Sequence, residues 1–281
     1  MPERSAVTAP ELARKKARGE RIAVVTAYDY PSAWYADQAG VDVLLVGDTL
    51  GMTVLGYSTT LPVTMEEMLH HVRAVMRATP RALVVADLPF LSFQTGDDEA
   101  VRNAGRCLKE GGASAVKLEG GVKVAALVAR LTGCGIPVMG HVGLLPQSFH
   151  QMGGWKVQGR RPEQARQVLE DARQLQEAGA FSVVLEAIPA ELAREVTAAL
   201  TIPTIGIGAG PDCDGQVQVF HDLLGLFPHF VAKHTRRYLE GGDLVCEALK
   251  RYADDVRSGV FPGEENTWRQ PELEDAASWK S

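Results

Sequence analysis

A (β/α)8 barrel is the fold this sequence predicts, on three observations. Short apolar runs recur along the chain, each followed by a helical pattern, so that a strand plus its crossover helix takes about thirty residues. The runs are continuous rather than alternating, as in strands covered by barrel interior on one face and helices on the other. Eight such units can be placed with no change of composition that would mark a linker.

The chain is read as one domain, 1–281, with an N-terminal helix at about 8–18 and a C-terminal tail from 261 to 281. Thr8, Pro10 and Glu11 supply the cap, early proline and acidic first turn of that helix, and Gly19 ends it. IAVVTA (22–27) is the first strand, 30–39 a helix closed by Gly40, and VDVLLV (41–46) the second strand, which stops at Gly47-Asp48. A long glycine-bearing loop leads to Thr64 and Glu67, a capping box for a helix over 65–78 with Met68, Leu69, Val72, Val75 and Met76 on one face. His70 and His71 are sequence neighbours that point in different directions, so they read as ordinary helix residues.

The alternation then continues. Strands are expected at 83–86, 115–118, 137–140, 182–185 and 204–207, with helices over 98–109, 122–131, 162–178 and 189–200 between them. The eighth strand is assigned to 230–232, ahead of a helix over 239–257. The stretch 144–161, LLPQSFHQMGGWKVQGRR, is too long and too polar-aromatic for a simple connector and reads as a lid.

Composition narrows the class of function. With 29 basic and 35 acidic residues interspersed, the formal charge of −6 offers no basic field for nucleic acid or anionic lipid. Cys107, Cys134, Cys213 and Cys246 show no metal or disulfide spacing, which fits a reducing cytoplasm. No apolar run approaches the roughly 20 residues of a membrane span, and the first residues lack a signal peptide's apolar core.

Chemistry is expected at the strand ends, because the C-terminal ends of parallel strands converge on one rim. Asp48, Asp87, Lys117 with Glu119, His141 and Glu186 all stand at such ends. A single strand-end aspartate is as often a turn or helix cap; several in one chain point to a metal-assisted enzyme. Magnesium takes oxygen ligands and usually keeps waters, so Asp48 and Asp87 on adjacent strands suit it. Glu186 lies away from them after an apolar VVL run and is the candidate general base, its alternative being a salt bridge to a barrel neighbour. Lys117 reads either as an electrostatic anchor or as a Schiff-base lysine. His141 is a donor toward substrate or a satisfied packing residue, and GIGAG (206–210) lacks the spacing of a dinucleotide loop.

VGDTLGMTVLGYSTTLPVT, VVADLPFLSFQ, AVKLEGG, PVMGHVGLLPQS, GGWKVQGR, VVLEAIP and IGIGAG…DGQVQVFHDLLG, in this order, resemble the ketopantoate hydroxymethyltransferase family from about residue 8 to residue 260. The resemblance implies a barrel of the phosphoenolpyruvate/pyruvate type, Mg2+, and transfer of a one-carbon unit from 5,10-methylenetetrahydrofolate to 3-methyl-2-oxobutanoate through a magnesium-stabilised enolate, giving 2-dehydropantoate for pantothenate synthesis. It further implies metal association for Glu119 beside Asp48 and Asp87, binding of the keto acid by Asp48, Thr49, Asp87, Lys117 and His141, and a homodecamer. Thr49 stands where serine is usual, Ser58 where an acidic residue is common, Trp155 where tyrosine is usual, and Ala187 where cysteine often follows the glutamate. Two other readings remain. A phosphoenolpyruvate mutase or isocitrate-lyase-like C–C lyase would need a KKCGH-type motif, which the sequence lacks, and a silent scaffold would have lost strand-end charges, which are all present.

Overall fold

Residues 5–228 and 232–268 are described by the structure, a computed structural model. Eight parallel strands close a barrel in chain order: β1 (Ile22–Thr26), β2 (Val43–Val46), β3 (Leu83–Asp87), β4 (Ala115–Glu119), β5 (Val138–Gly143), β6 (Ser182–Glu186), β7 (Thr204–Ile207) and β8 (Gly215–Gln218), the last pairing back on β1. Helix α1 (Ala9–Ala17) precedes the barrel, and α2 (Tyr30–Gln38) follows β1. Single-turn α3 (Leu50–Thr53) and then α4 (Met65–Met76) follow β2. The next crossovers are α5 (Asp97–Lys109), α6 (Val122–Gly133), single-turn α7 (Phe149–Met152) with α8 (Pro162–Glu177), and α9 (Ala190–Ala199). After β8 come the short α10 (Phe220–Leu223) and α11 (Gly241–Ser258). Among the described residues no helix is long and apolar enough to cross a membrane.

The expected architecture is present, with one strand misplaced. The barrel is closed by Gly215–Gln218 and not by 230–232, of which 230 and 231 lie outside the described residues. GQVQ escapes an apolar-run search because its face is covered on one side only: Gly215 and Val217 are buried, whereas Gln216 is exposed. Strands β3, β4, β5 and β6 run one to three residues beyond their expected ends, so that Asp87, Glu119, His141 and Glu186 sit within the ladder rather than after it. Thr8 precedes α1 without a side-chain cap bond, while Thr64 and Glu67 form the expected capping box of α4.

Two layers of core hold the barrel. Inside it, Val24, Val43, Leu45, Val85, Met139 and Val184 pack together, and Leu12 of α1 joins them, fully buried. Burying one leucine contributes roughly 1.5–3 kcal/mol. Helix α1 therefore stoppers the N-terminal end, held by Lys16 Nζ on Asp214 Oδ2 at 2.8 Å and Lys15 Nζ on Asp42 Oδ1 at 2.6 Å. The other end stays open for chemistry. The outer layer, formed between strands and helices, includes Leu44, Val84, Leu118, Val142 and Leu175.

That outer layer is interrupted between β8 and β1, where an eighth barrel helix would pack. A cavity of 1210 Å³ lies there, lined by Ile22 and Val24 of β1, Tyr35 and Ala36 of α2, and Gln216 and Gln218 of β8. Helix α11, next in the chain, does not fill it. Gly241 is its only buried residue, and Leu244, Val245, Leu249, Tyr252 and Val256 are all exposed.

Candidate active site

Strand periodicity builds the site. Side chains two apart share a face, so the interior residues Leu83 and Val85 lead to Asp87, Ala115 leads to Lys117 and Glu119, Met139 to His141, and Val184 to Glu186. In-register pairing sets Asp87 beside Lys117 and Glu119 beside His141 across adjacent strands. Asp48, two residues beyond β2, closes the ring, its backbone N–H donating to Asp87 Oδ2 at 3.2 Å. The expected site residues Asp48, Thr49, Asp87, Lys117, Glu119, His141 and Glu186 thus line one cavity of 50 Å³.

The contacts inside it are mainly charged. Lys117 Nζ lies 2.9 Å from Asp87 Oδ1 and 3.4 Å from His141 Nδ1. His141 Nε2 is 3.0 Å from Glu186 Oε2, and its Nδ1 is 3.6 Å from Glu119 Oε1. Lysine can only donate, so His141 Nδ1 is the acceptor and Nε2 carries the proton that faces Glu186. Burial, joined by the charge of Lys117, holds the His141 imidazole below its ordinary value, against the pull of Glu186.

Four carboxylates share this space with one lysine, more negative charge than a buried site holds without a cation. Burial, then the charge of Asp87, pushes Asp48 up to about 7, although Lys117 and a bond from Gln147 oppose the rise. Burial likewise raises Glu119 well above the carboxylate range, against Lys117. Burial alone would lower Lys117, but Asp87, Glu119 and Asp48 together outweigh it and hold the ammonium above its usual range. Asp87 Oδ1 and Glu119 Oε1 are buried and lack an aligned hydrogen bond despite their charge contacts. These features fit a hard divalent cation on Asp48 and Asp87. Among the described residues no three His, Cys, Asp or Glu side chains close into a ligand set, so the expected trio of Asp48, Asp87 and Glu119 is not preassembled. Glu119 instead accepts the backbone N–H of Gln147 at 3.0 Å.

Gln147 is the residue that sequence reasoning missed. It sits in the loop after β5, buried, where its Nε2 donates to Asp48 Oδ2 at 3.0 Å and to Leu88 O at 2.8 Å. One side chain thereby ties the segment after β5 to two strand ends, and only its polarity within GLLPQS hints at this. Glu186 is less enclosed than its apolar run suggests: its side chain keeps 16% exposure and lines a second cavity of 350 Å³ as well. Two backbone features fix it. Gly143, paired with Glu186, has φ +96°, and a Cβ there would collide with the Glu186 carbonyl oxygen. Ala187 also adopts positive φ, 47°, a conformation that non-glycine residues hold only when their surroundings impose it. Trp155, between β5 and α8, is half exposed, with its ring 5.2 Å from Phe149.

Comparison with known proteins adds descent to this geometry. The family model described as ketopantoate hydroxymethyltransferase matches residues 6–264. The protein named 3-methyl-2-oxobutanoate hydroxymethyltransferase from Moorella thermoacetica is 59% identical over 269 residues, 96% of this chain and 100% of that one. Its namesake from Thermus thermophilus is 57% identical over 254 residues, covering 90% and 97%. Among solved structures, phosphonopyruvate hydrolase in complex with oxalate and Mg++ superposes with a TM-score of 0.61 at 13% identity, covering 92% of this chain and 93% of that one. 2,3-Dimethylmalate lyase, of the PEP mutase/isocitrate lyase superfamily, does so at 0.59 and 19%, covering 96% and 93%. At such identities these two establish the fold alone.

Proposed function

The chain belongs to the ketopantoate hydroxymethyltransferase family and is a transferase, and from that premise we propose that it moves a hydroxymethyl group from 5,10-methylenetetrahydrofolate to 3-methyl-2-oxobutanoate. The observation that carries the proposal is the opposition, across one small cavity, of the Asp48–Asp87 pair and a glutamate 3.0 Å from a buried histidine.

Asp48 and Asp87 would hold magnesium, with Glu119 behind them bracing the Gln147 loop. Magnesium, when bound, draws electron density from the ketone and so acidifies the neighbouring carbon. Lys117 attracts the keto-acid carboxylate, and Thr49 lines the same space. His141 Nε2 lies 3.0 Å from Glu186 Oε2, a close charge contact without an aligned hydrogen bond, and its place in the cavity also leaves it within reach of the substrate. Glu186 then takes the proton from the branched carbon. That carbon forms the new C–C bond to the folate methylene, both C–N bonds of the methylene, to N5 and N10, break in turn, and one water supplies the hydroxyl; the proton taken from the substrate and one from the water end on the two nitrogens, leaving 2-dehydropantoate and tetrahydrofolate. The 350 Å³ cavity that shares Glu186 gives the second substrate somewhere to stand.

The same reading includes a homo-oligomer, a decamer by resemblance. It is supported by the uncovered apolar face of α11 and the open cavity beside β8, which a second copy of the chain would satisfy together. The deciding assay is consumption of 3-methyl-2-oxobutanoate, expected only when methylenetetrahydrofolate and magnesium are both supplied. Consumption without folate, or none after chelated enzyme is resupplied with magnesium, would overturn the assignment.

A further inference from the structure

The reaction proposed above needs a seat for its folate donor, and this inference rests on that reaction. We propose that Asp222 recognises the donor's pterin ring, its carboxylate accepting the adjacent N3–H and 2-amino protons in the 350 Å³ cavity beside Glu186.

Position comes first. This cavity shares Thr49, Pro146, Glu186, Ile207 and Val219 with the cavity of the strand-end charges, so a ligand in it abuts the carbon that Glu186 would deprotonate. Its volume is near the lower end for small-molecule sites, roughly 300–1,000 Å³, which suits a bicyclic ring better than an entire folate. Met52, Leu144 and Val157 give it apolar walls, and Trp155 and Phe227 offer aromatic ones. A flat heterocycle is the class of ligand such walls accept.

Polarity comes second. Apart from Glu186, Asp222 is the one carboxylate among the described residues that line this cavity. It stands on α10, three residues past Val219, and burial lifts its carboxyl above the usual range against the charges of His234 and Arg237. Among the described residues no side-chain or backbone N–H donates to its carboxylate. Thr60, fully buried in the same wall, carries a hydroxyl oxygen without a partner. A partly buried carboxylate on an apolar cavity wall has room for donors from a ligand. The 2-amino-4-oxo edge of a tetrahydropterin presents two parallel N–H groups at the spacing of a carboxylate's oxygens, a bidentate, charge-assisted match. Lys156 and Lys233 line the same cavity and suit the carboxylates of the glutamyl tail.

The test compares equilibrium binding of tetrahydrofolate and of 6-methyltetrahydropterin, which has no tail, to the wild type, Asp222→Asn and Asp222→Glu. Deuterium exchange into 3-methyl-2-oxobutanoate, which needs no folate, reports on the keto-acid side. The expected result is a loss of about 10- to 100-fold for both pterins in Asp222→Asn, partial recovery in Asp222→Glu, and exchange within about twofold of wild type. Equal binding by Asp222→Asn would overturn the proposal, as would a loss seen with tetrahydrofolate but not with the tailless pterin. Parallel loss of exchange would assign Asp222 to the structure of the site and overturn it too. A wild type that exchanges keto-acid hydrogen yet binds neither pterin would sink the functional reading itself, and this inference with it.

Discussion

At the scale of single residues, the mechanism proposed above gives proton transfer to one carboxylate and leaves its neighbours to position it. Glu186→Gln preserves shape while removing the base, so exchange of the branched-carbon hydrogen in deuterated water should fall by at least about 100-fold with keto-acid affinity nearly kept. Equal losses in both would leave Glu186 a structural part. A second residue sets a limit on acid stability. His221 stacks on buried Tyr28 with ring centroids 5.6 Å apart, and burial lowers its imidazole below the ordinary 6.5 despite Asp29 nearby. A base depressed in the folded state favours the fold above its unfolded value, and that contribution disappears as pH falls through the folded value. Urea denaturation should therefore show stability falling as the pH drops below 6.5, with a flatter profile in His221→Phe. Identical slopes in the two proteins would clear His221 of this role.

At the scale of elements, the strand ends are legible because, in a parallel barrel, a continuous apolar run that stops at a charge marks the rim where strands hand over to loops. Asp48, Asp87, Lys117, Glu119, His141 and Glu186 all carry that mark. Gln147 and Asp222 do not, because each lies in a segment whose path depends on what it packs against; neither periodicity nor spacing singles them out. β8 escapes for a related reason: Gln216 and Gln218 look onto the open cavity rather than onto a helix, so the strand never needed apolar residues there. Between β5 and β6 the fit is tightest. Gly143→Ala would place a methyl against the Glu186 carbonyl and Ile188 while holding alanine at φ +96°. The combined cost should be about 2–5 kcal/mol in denaturant unfolding, with hydrogen exchange lost alongside because the base moves. An alanine variant of wild-type stability and exchange would show that the two strands yield more readily than their geometry implies.

At the scale of the whole molecule, the barrel is finished on every side but one. A stripe of Leu244, Leu249, Tyr252 and Val256 facing solvent, and an apolar recess of 1210 Å³ next to β1, are the surfaces that another copy would cover in the oligomer proposed above. Light scattering should report a mass well above a dimer for the wild type, and a smaller species for Leu249→Glu combined with Tyr252→Glu. A wild-type monomer, or a variant of undiminished mass, would contradict this. Gln216 and Gln218 place the recess directly behind the strand that leads to Val219 and Asp222, so whatever covers the recess also backs a wall of the second cavity. Mass action then enters the enzymology: specific activity and thermal midpoint should both decline on dilution, and a rate measured at nanomolar protein would describe a different population from the one at micromolar.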